Sequence, residues 1–145
     1  MDTIARNPSV VIAEEVRAHV QELFVESATA DALSVSKDSP SLDDAVTAIL
    51  KQWSTATGED LAQMPEVLLY RELSLRFSEQ FGAAVPAVEN LVTRYLMKGK
   101  FPRVNSLVDA ANVASLWGME GISRERVRAT LTDSIDLCRA GGARP

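Results

Sequence analysis

The sequence predicts an α+β protein, helix-rich and built as one domain, with a small sheet supplied mainly by its N-terminal region. Two observations carry this reading. Five segments after residue 37 repeat apolar residues at the three-to-four spacing of helices with one buried face, and they are bounded by cap-type residues, Pro or Gly. By contrast, "PSVVI" (8–12) reads as a short strand or lead-in, and "SATADALSVS" (27–36) loses the helical period and reads as a strand. At 145 residues, 46% of them apolar, the chain is long enough for one buried core. The expected boundaries are a flexible tail over 1–8, a domain over 9–140 and a frayed tail over 141–145.

The elements follow in order. Ile12, Val16, Val20, Leu23 and Phe24 recur at helical spacing behind Glu14 and Glu15, which suit the positive end of a helix dipole. His19 falls on this helix and reads as a partly exposed polar residue, since nothing near it completes a site. "KDSPSLDDAVTAILKQW" opens with caps and Pro40, then places Leu42, Val46, Ile49, Leu50 and Trp53 on one stripe. "STATGED" (54–60) reads as a loop. From Pro65 to Phe81 the stripe is Val67, Tyr70, Ser74, Phe77 and Phe81, and Gly82 is the expected stop. Pro86 opens the next helix, with Val88, Leu91, Val92, Tyr95 and Leu96 inward and Gly99 as its stop. Tyr70 and Tyr95 read as core residues whose phenol tips find a partner. "VNSLVDAANVASLWG" is capped by Asn105 or Ser106 and ends at Gly118. Ser123 caps the last helix, which sets Val127, Leu131, Ile135 and Cys138 on a buried stripe.

Charge and composition remove several functions. With one His and one Cys, neither a two-His metal site nor an internal disulfide can form, so no metal or other cofactor is expected. A single cysteine fits a reducing, cytoplasmic compartment. No apolar run approaches the roughly 18 residues of a membrane span, and "MDTIARNPS" lacks the basic start and apolar core of a signal peptide. The seven glycines are scattered and form no phosphate loop. A net charge of −5 argues against DNA as a partner, because phosphate binding draws on Lys and Arg. The charge is uneven, however: residues 1–66 hold 12 acids and 4 bases, and residues 67–145 hold 8 acids and 11 bases. Arg94, Lys98, Lys100 and Arg103 form a run without an acid between them, a candidate phosphate contact.

Directly after that run, Val104–Met119 contains no Lys, Arg or Glu but keeps Asn105, Asp109 and Asn112. At about 100° per residue these three share one narrow face with Leu116, while Leu107, Ala111 and Ala114 gather on the opposite side. Asn and Asp are poor helix formers, so their use here implies fixed hydrogen-bond partners. Two readings stay open. In one, Asn105 caps, Asp109 pairs with an Arg such as Arg103, and Asn112 ties down a loop. In the other, the three line a pocket for a small polar ligand.

The stretch "MPEVLLYRELSLRFSEQFG" and the following "VPAVENLVTRYLMKGKFPRVNSLVDAANVASL" resemble the B3/B4 domain of the phenylalanyl-tRNA synthetase beta subunit, and free-standing B3/B4-domain proteins still more. The resemblance covers Met64–Leu116 and rests on Tyr70-Arg71-Glu72, Glu89, Leu91, Arg94, Gly99-Lys100, Pro102, Asn105, Val108-Asp109, Asn112 and Ser115-Leu116. In the synthetase this domain edits, hydrolysing tyrosine wrongly esterified to the phenylalanine tRNA. The resemblance therefore implies a pocket for an aminoacyl or amino-acid-like group, with Asn105, Asp109 and Asn112 as ligand contacts and tRNA or aminoacyl-tRNA as a partner. The bacterial pocket also has a Thr before the Asn and a His eleven residues after it; Ala111 and Ser123 stand in those places here. Beyond Leu116 the family's turn into further strands is replaced by "GMEGIS" and one amphipathic helix. The expectation is a B3/B4-like module related to tRNA editing, with weak catalysis or none. The alternatives are a trans-acting aminoacyl-tRNA deacylase and a non-enzymatic interaction or scaffold paralogue that uses a homodimer or a partner subunit to cover its exposed surface.

Overall fold

The computed structural model describes the backbone of residues 5–142 except 7–9, 32, 82–84, 86 and 121–122; the side chains of 5–6, 80–81, 96–98, 120, 124 and 141–142 also fall outside it. The elements are β1 (Ala5–Arg6), α1 (Glu14–His19), β2 (Ala28–Thr29), α2 (Pro40–Trp53), α3 (Gly58–Ala62), α4 (Pro65–Arg76), α5 (Ser78–Phe81), α6 (Ala87–Lys98), α7 (Ser106–Trp117) and α8 (Arg124–Gly142). A 3₁₀ turn over Gly118–Glu120 joins the last two.

The α+β expectation is overturned. The described chain is nearly all helical, and its only strand pairing sets Ala5 against Thr29 and Arg6 against Ala28. A two-by-two ladder makes no layer and has no face to pack. The other described residues from Val20 to Ser39 form neither helix nor strand, and the segment is tied to the helices through Ser36 on Ser106 and Glu26 on Arg128. Residues 10–12 form no strand, and residues 8–9 lie outside the described part. The first helix is also shorter than its periodicity suggested, because Val20 already has extended backbone (φ −136°, ψ 94°). None of the residues of α1 is buried, so no apolar face extends it beyond its charged first turn.

The core sits among α2, α3, α6, α7 and α8, and α7 is the element around which the others pack. From α2 it takes Val46, Ile49 and Trp53; Leu42 of the same stripe is fully buried. Leu61 of α3, Val67 of α4, Leu91 and Val92 of α6 and Phe101 after it join Val113, Leu116 and Met119. The reading of 54–60 as loop missed α3, which Thr57 and Asp60 start as a reciprocal capping box. Gly99 (φ +67°) ends α6 in the left-handed conformation that side-chain-bearing residues avoid. The expected stop at Gly82, the opening at Pro86 and residues 143–145 of the expected 141–145 tail lie outside the described residues, while 141 and 142 close α8.

The α4 stripe needs correction as well. Among its described side chains only Val67 is buried; Ser74 and Phe77 are half-buried, Tyr70 is exposed, and the Phe81 side chain lies outside the described residues. The helix breaks at Phe77 (φ −105°, ψ 3°), where Ser78 Oγ donates to Leu75 O at 2.8 Å, and α5 follows. On α8, Ile135 is buried while Val127, Leu131 and Cys138 are half-buried; burial pushes the Cys138 thiol up from its ordinary range, away from reactivity.

Candidate binding cleft

The polar residues of α7 divide between two jobs. Asn105 is the N-cap, and its Oδ1 accepts from Val108 N at 2.9 Å. Asp109, only 1% exposed, accepts from Val104 N at 2.9 Å and from Arg103 Nε at 2.7 Å. Arg103 reaches on with its Nη1 to Asp43 on α2, also at 2.7 Å. The pairs with Asp43 and Asp109 hold the Arg103 guanidinium above its already high ordinary pKa. Asn112 is half-buried and makes no side-chain hydrogen bond among the described residues. Of the two readings open at Asn105 and Asp109, the observed contacts are those of capping and ion pairing.

The geometry of α7 explains why. Its buried face is Ser106, Asp109, Ala110, Val113, Ala114 and Leu116, and the polar lane runs along one border of that face. Ser106 is tied to the extended N-terminal chain twice: its N–H donates to Ser36 O at 2.8 Å, and its Oγ accepts from Ser36 N at 2.9 Å. The residues facing water are instead apolar or small: Val104, Leu107, Val108, Ala111 and Ser115.

The basic run is also divided. Arg94 and Lys100 are exposed on and just beyond α6, and the Lys98 side chain lies outside the described residues. Arg103 is committed to Asp43 and Asp109 as the anchor of α7. A phosphate contact by Arg103 would have to compete with two carboxylates.

A cleft of about 520 Å³ opens elsewhere, between α4, the start of α6, the end of α7 and the first half of α8. Its size is that of ordinary small-molecule pockets. Leu73, Val88, Met119, Val127 and Leu131 make its wall apolar, and the hydroxyl groups of Tyr70, Ser74, Ser115 and Ser134 add polar points. Small residues create the space: Ala87, Ala114 and Gly118 stand where larger side chains would fill the junction. Glu26 lies at the cleft from the extended N-terminal segment, and its carboxylate accepts from Arg128 Nε on α8 at 2.8 Å. The Thr130 hydroxyl, also in this wall, is buried without a hydrogen-bond partner.

Asn105, Asp109 and Asn112 are not among the cleft's lining residues. Tyr70, expected to be core, stands in its wall; Tyr95 behaves as expected, half-buried against the core with its hydroxyl donating to Leu50 O at 3.3 Å. His19 lies outside the cleft, packed at a 39° tilt against Phe77 with ring centroids 5.2 Å apart. Arg71 and Glu89, both within the resembling stretch, form an ion pair that clamps α4 to α6. Among the described residues no three His, Cys, Asp or Glu gather as metal ligands, and no helix is long and apolar enough to cross a membrane. No family model, curated protein or solved structure matches the chain.

Proposed function

We propose that the protein is a B3/B4-like binding module that takes the apolar part of an aminoacyl or amino-acid-like group into the cleft between α4, α6, α7 and α8. The observation that carries this reading is the cleft itself: apolar walls with a few hydroxyl groups suit a small group of that kind. The resemblance of residues 64–116 to editing domains supports the choice of ligand, because Tyr70, Ser74, Ala87, Val88, Ala114 and Ser115 all come from that stretch. Arg94 and Lys100, exposed and without carboxylate partners among the described residues, are the groups left to meet tRNA phosphates.

Binding is better supported than hydrolysis. An ester hydrolase needs a base or a positioned water and a stabiliser for the developing oxyanion. In the cleft Glu26 is the one carboxylate among the described lining residues, and it is engaged by Arg128.

The test is a titration by NMR or calorimetry with free tyrosine and phenylalanine, uncharged tRNA and a non-hydrolysable aminoacyl-tRNA analogue. Ser74→Trp, which fills the cleft, should abolish the gain that the aminoacyl group adds. Arg94→Ala with Lys100→Ala should weaken RNA binding and lower its salt slope by roughly one per lost phosphate contact. Equal binding of charged and uncharged tRNA would remove the aminoacyl reading. Release of tyrosine from mischarged tRNA, lost in Ser74→Trp, would favour the deacylase instead.

A further inference from the structure

We infer that the water-facing side of α7 is a self-association surface, on which a second copy of this chain packs α7 against α7 about a two-fold axis. Leu107, Val108, Ala111 and Ser115 follow the i, i+1, i+4, i+8 spacing of a helix-packing stripe, and the exposed Val104 precedes the N-cap Asn105. Three of them are large and stand open to water, Val104 at 57%, Leu107 at 41% and Val108 at 38%. Val35, also exposed, extends the patch at its N-terminal end, because the Ser36–Ser106 hydrogen bonds hold that segment against the start of α7.

Two features fit this face for burial against itself. The first is charge. In a two-fold interface the same patch is presented by both chains, so an ionised group near the axis meets its own kind. No Lys, Arg or Glu occurs anywhere from Val104 to Met119, and the one acid, Asp109, points inward to Arg103. In a chain of net charge −5, a whole helix free of outward charge is the surface two copies can bring together with least repulsion. The second is hydrogen bonding. Ser115 is the only side chain of the stripe with a polar group, and its Oγ already donates to Ala111 O at 2.8 Å. Asn105 on the border is likewise spent on Val108 N. Within the stripe, covering therefore strands no polar group, the usual cost of burying a surface, and the half-buried Asn112 beside it must keep its amide at the wet rim.

The small residues fix the register. With Ala111 on the axis, two antiparallel helices approach closely, and Leu107 of each copy lies over Ser115 of the other. A single helix pair of this length belongs at the small end of specific interfaces, so association is expected in the micromolar range.

Sedimentation velocity on the full chain from 1 to 100 μM tests this. The wild type should pass from monomer to dimer across the range. Ala111→Glu and Ala111→Lys, both exposed helix positions, should each weaken the dimer at least tenfold, and their equimolar mixture should restore it as a heterodimer, since position 111 faces itself only in the two-fold arrangement. Leu75→Glu, which alters an exposed apolar residue on α4, should leave the dimer intact; far-UV circular dichroism checks that each variant is folded. A wild type monomeric at 100 μM overturns the inference, as does a mixture that fails to associate or a Leu75→Glu variant that dissociates like Ala111→Glu.

Discussion

Replacing Asp109 by alanine should destabilise the protein by about 2.5–4.5 kcal/mol without opening or closing the cleft. Two losses make up that figure. Val104 N–H loses its acceptor, and an unsatisfied buried donor costs roughly 1–3 kcal/mol. The bond from Arg103 Nε is charge-assisted, in a class where roughly 1.5–3 kcal/mol is usual; the lower end applies because Arg103 keeps Asp43 and touches solvent. Asp43 provides the internal comparison. Its side chain is 59% exposed, and an ion pair in such a setting contributes less than about 1 kcal/mol. Urea unfolding followed at 222 nm, with linear extrapolation to water, measures both variants. Adding Arg103→Ala to Asp109→Ala should cost little further, as expected for partners in one network. Equal losses from Asp109→Ala and Asp43→Ala, or a loss below about 1 kcal/mol from the former, would refute the assignment of Asp109 as the structural anchor of α7.

Three more outcomes can be measured on the same footing. Asn112→Ala should stay within about 0.5 kcal/mol of wild type by urea unfolding, because the side chain makes no described hydrogen bond. Gly99→Ala should lose about 1–2 kcal/mol, since the left-handed backbone at φ +67° penalises a Cβ even though nothing lies within 4 Å of it; Gly99→Asn should lose less. The Thr57 hydroxyl and then the Thr57 amide hold the Asp60 carboxyl below its ordinary range. The capping box is therefore at full strength above the ordinary carboxylate pKa and fades as the pH falls through the depressed value. A ¹³C titration of Asp60 should show that midpoint, and Thr57→Val should raise it.

The helices were legible where one face does one job. Leu42, Val46, Ile49 and Trp53 recur at helical spacing behind Pro40, and they are buried as that spacing implies. The α3 helix was legible as well but overlooked: Thr57 and Asp60 stand three apart, the capping-box spacing, in a stretch too short to show periodicity. Fold class was misjudged because an extended segment and a strand share the same local preferences; residues 27–36 become a sheet only if another strand pairs with them, and among the described residues just Ala28 and Thr29 find one. On α7 the absence of charge was read correctly as unusual, yet it marked two faces at once, a buried one with Asp109 and an exposed one with Leu107. The cleft could not be read from any one segment, since it exists only where four helices meet. Small residues that line it, Ala87, Ala114 and Gly118, stand far apart in the sequence, and nothing local links them.

The ties that hold the N-terminal segment and the first turn of α2 run far along the chain. Ser36 is bound to Ser106 across 70 residues, Ser41 Oγ donates to Ala140 O across 99, and Glu26 meets Arg128 across 102. A ribosome releases residues 26–41 well before those partners exist. Until α7 and α8 have been made these three ties cannot form, and the loop entropy must be spent before they do; the end of α1 can meet α4 sooner, where Arg76 Nη1 donates to His19 O at 2.9 Å. The native state is thus completed backwards, with the last helices built receiving the first residues synthesised. A nascent chain halted before residue 106 should remain open to protease over 20–39, and one extended past residue 140 should not.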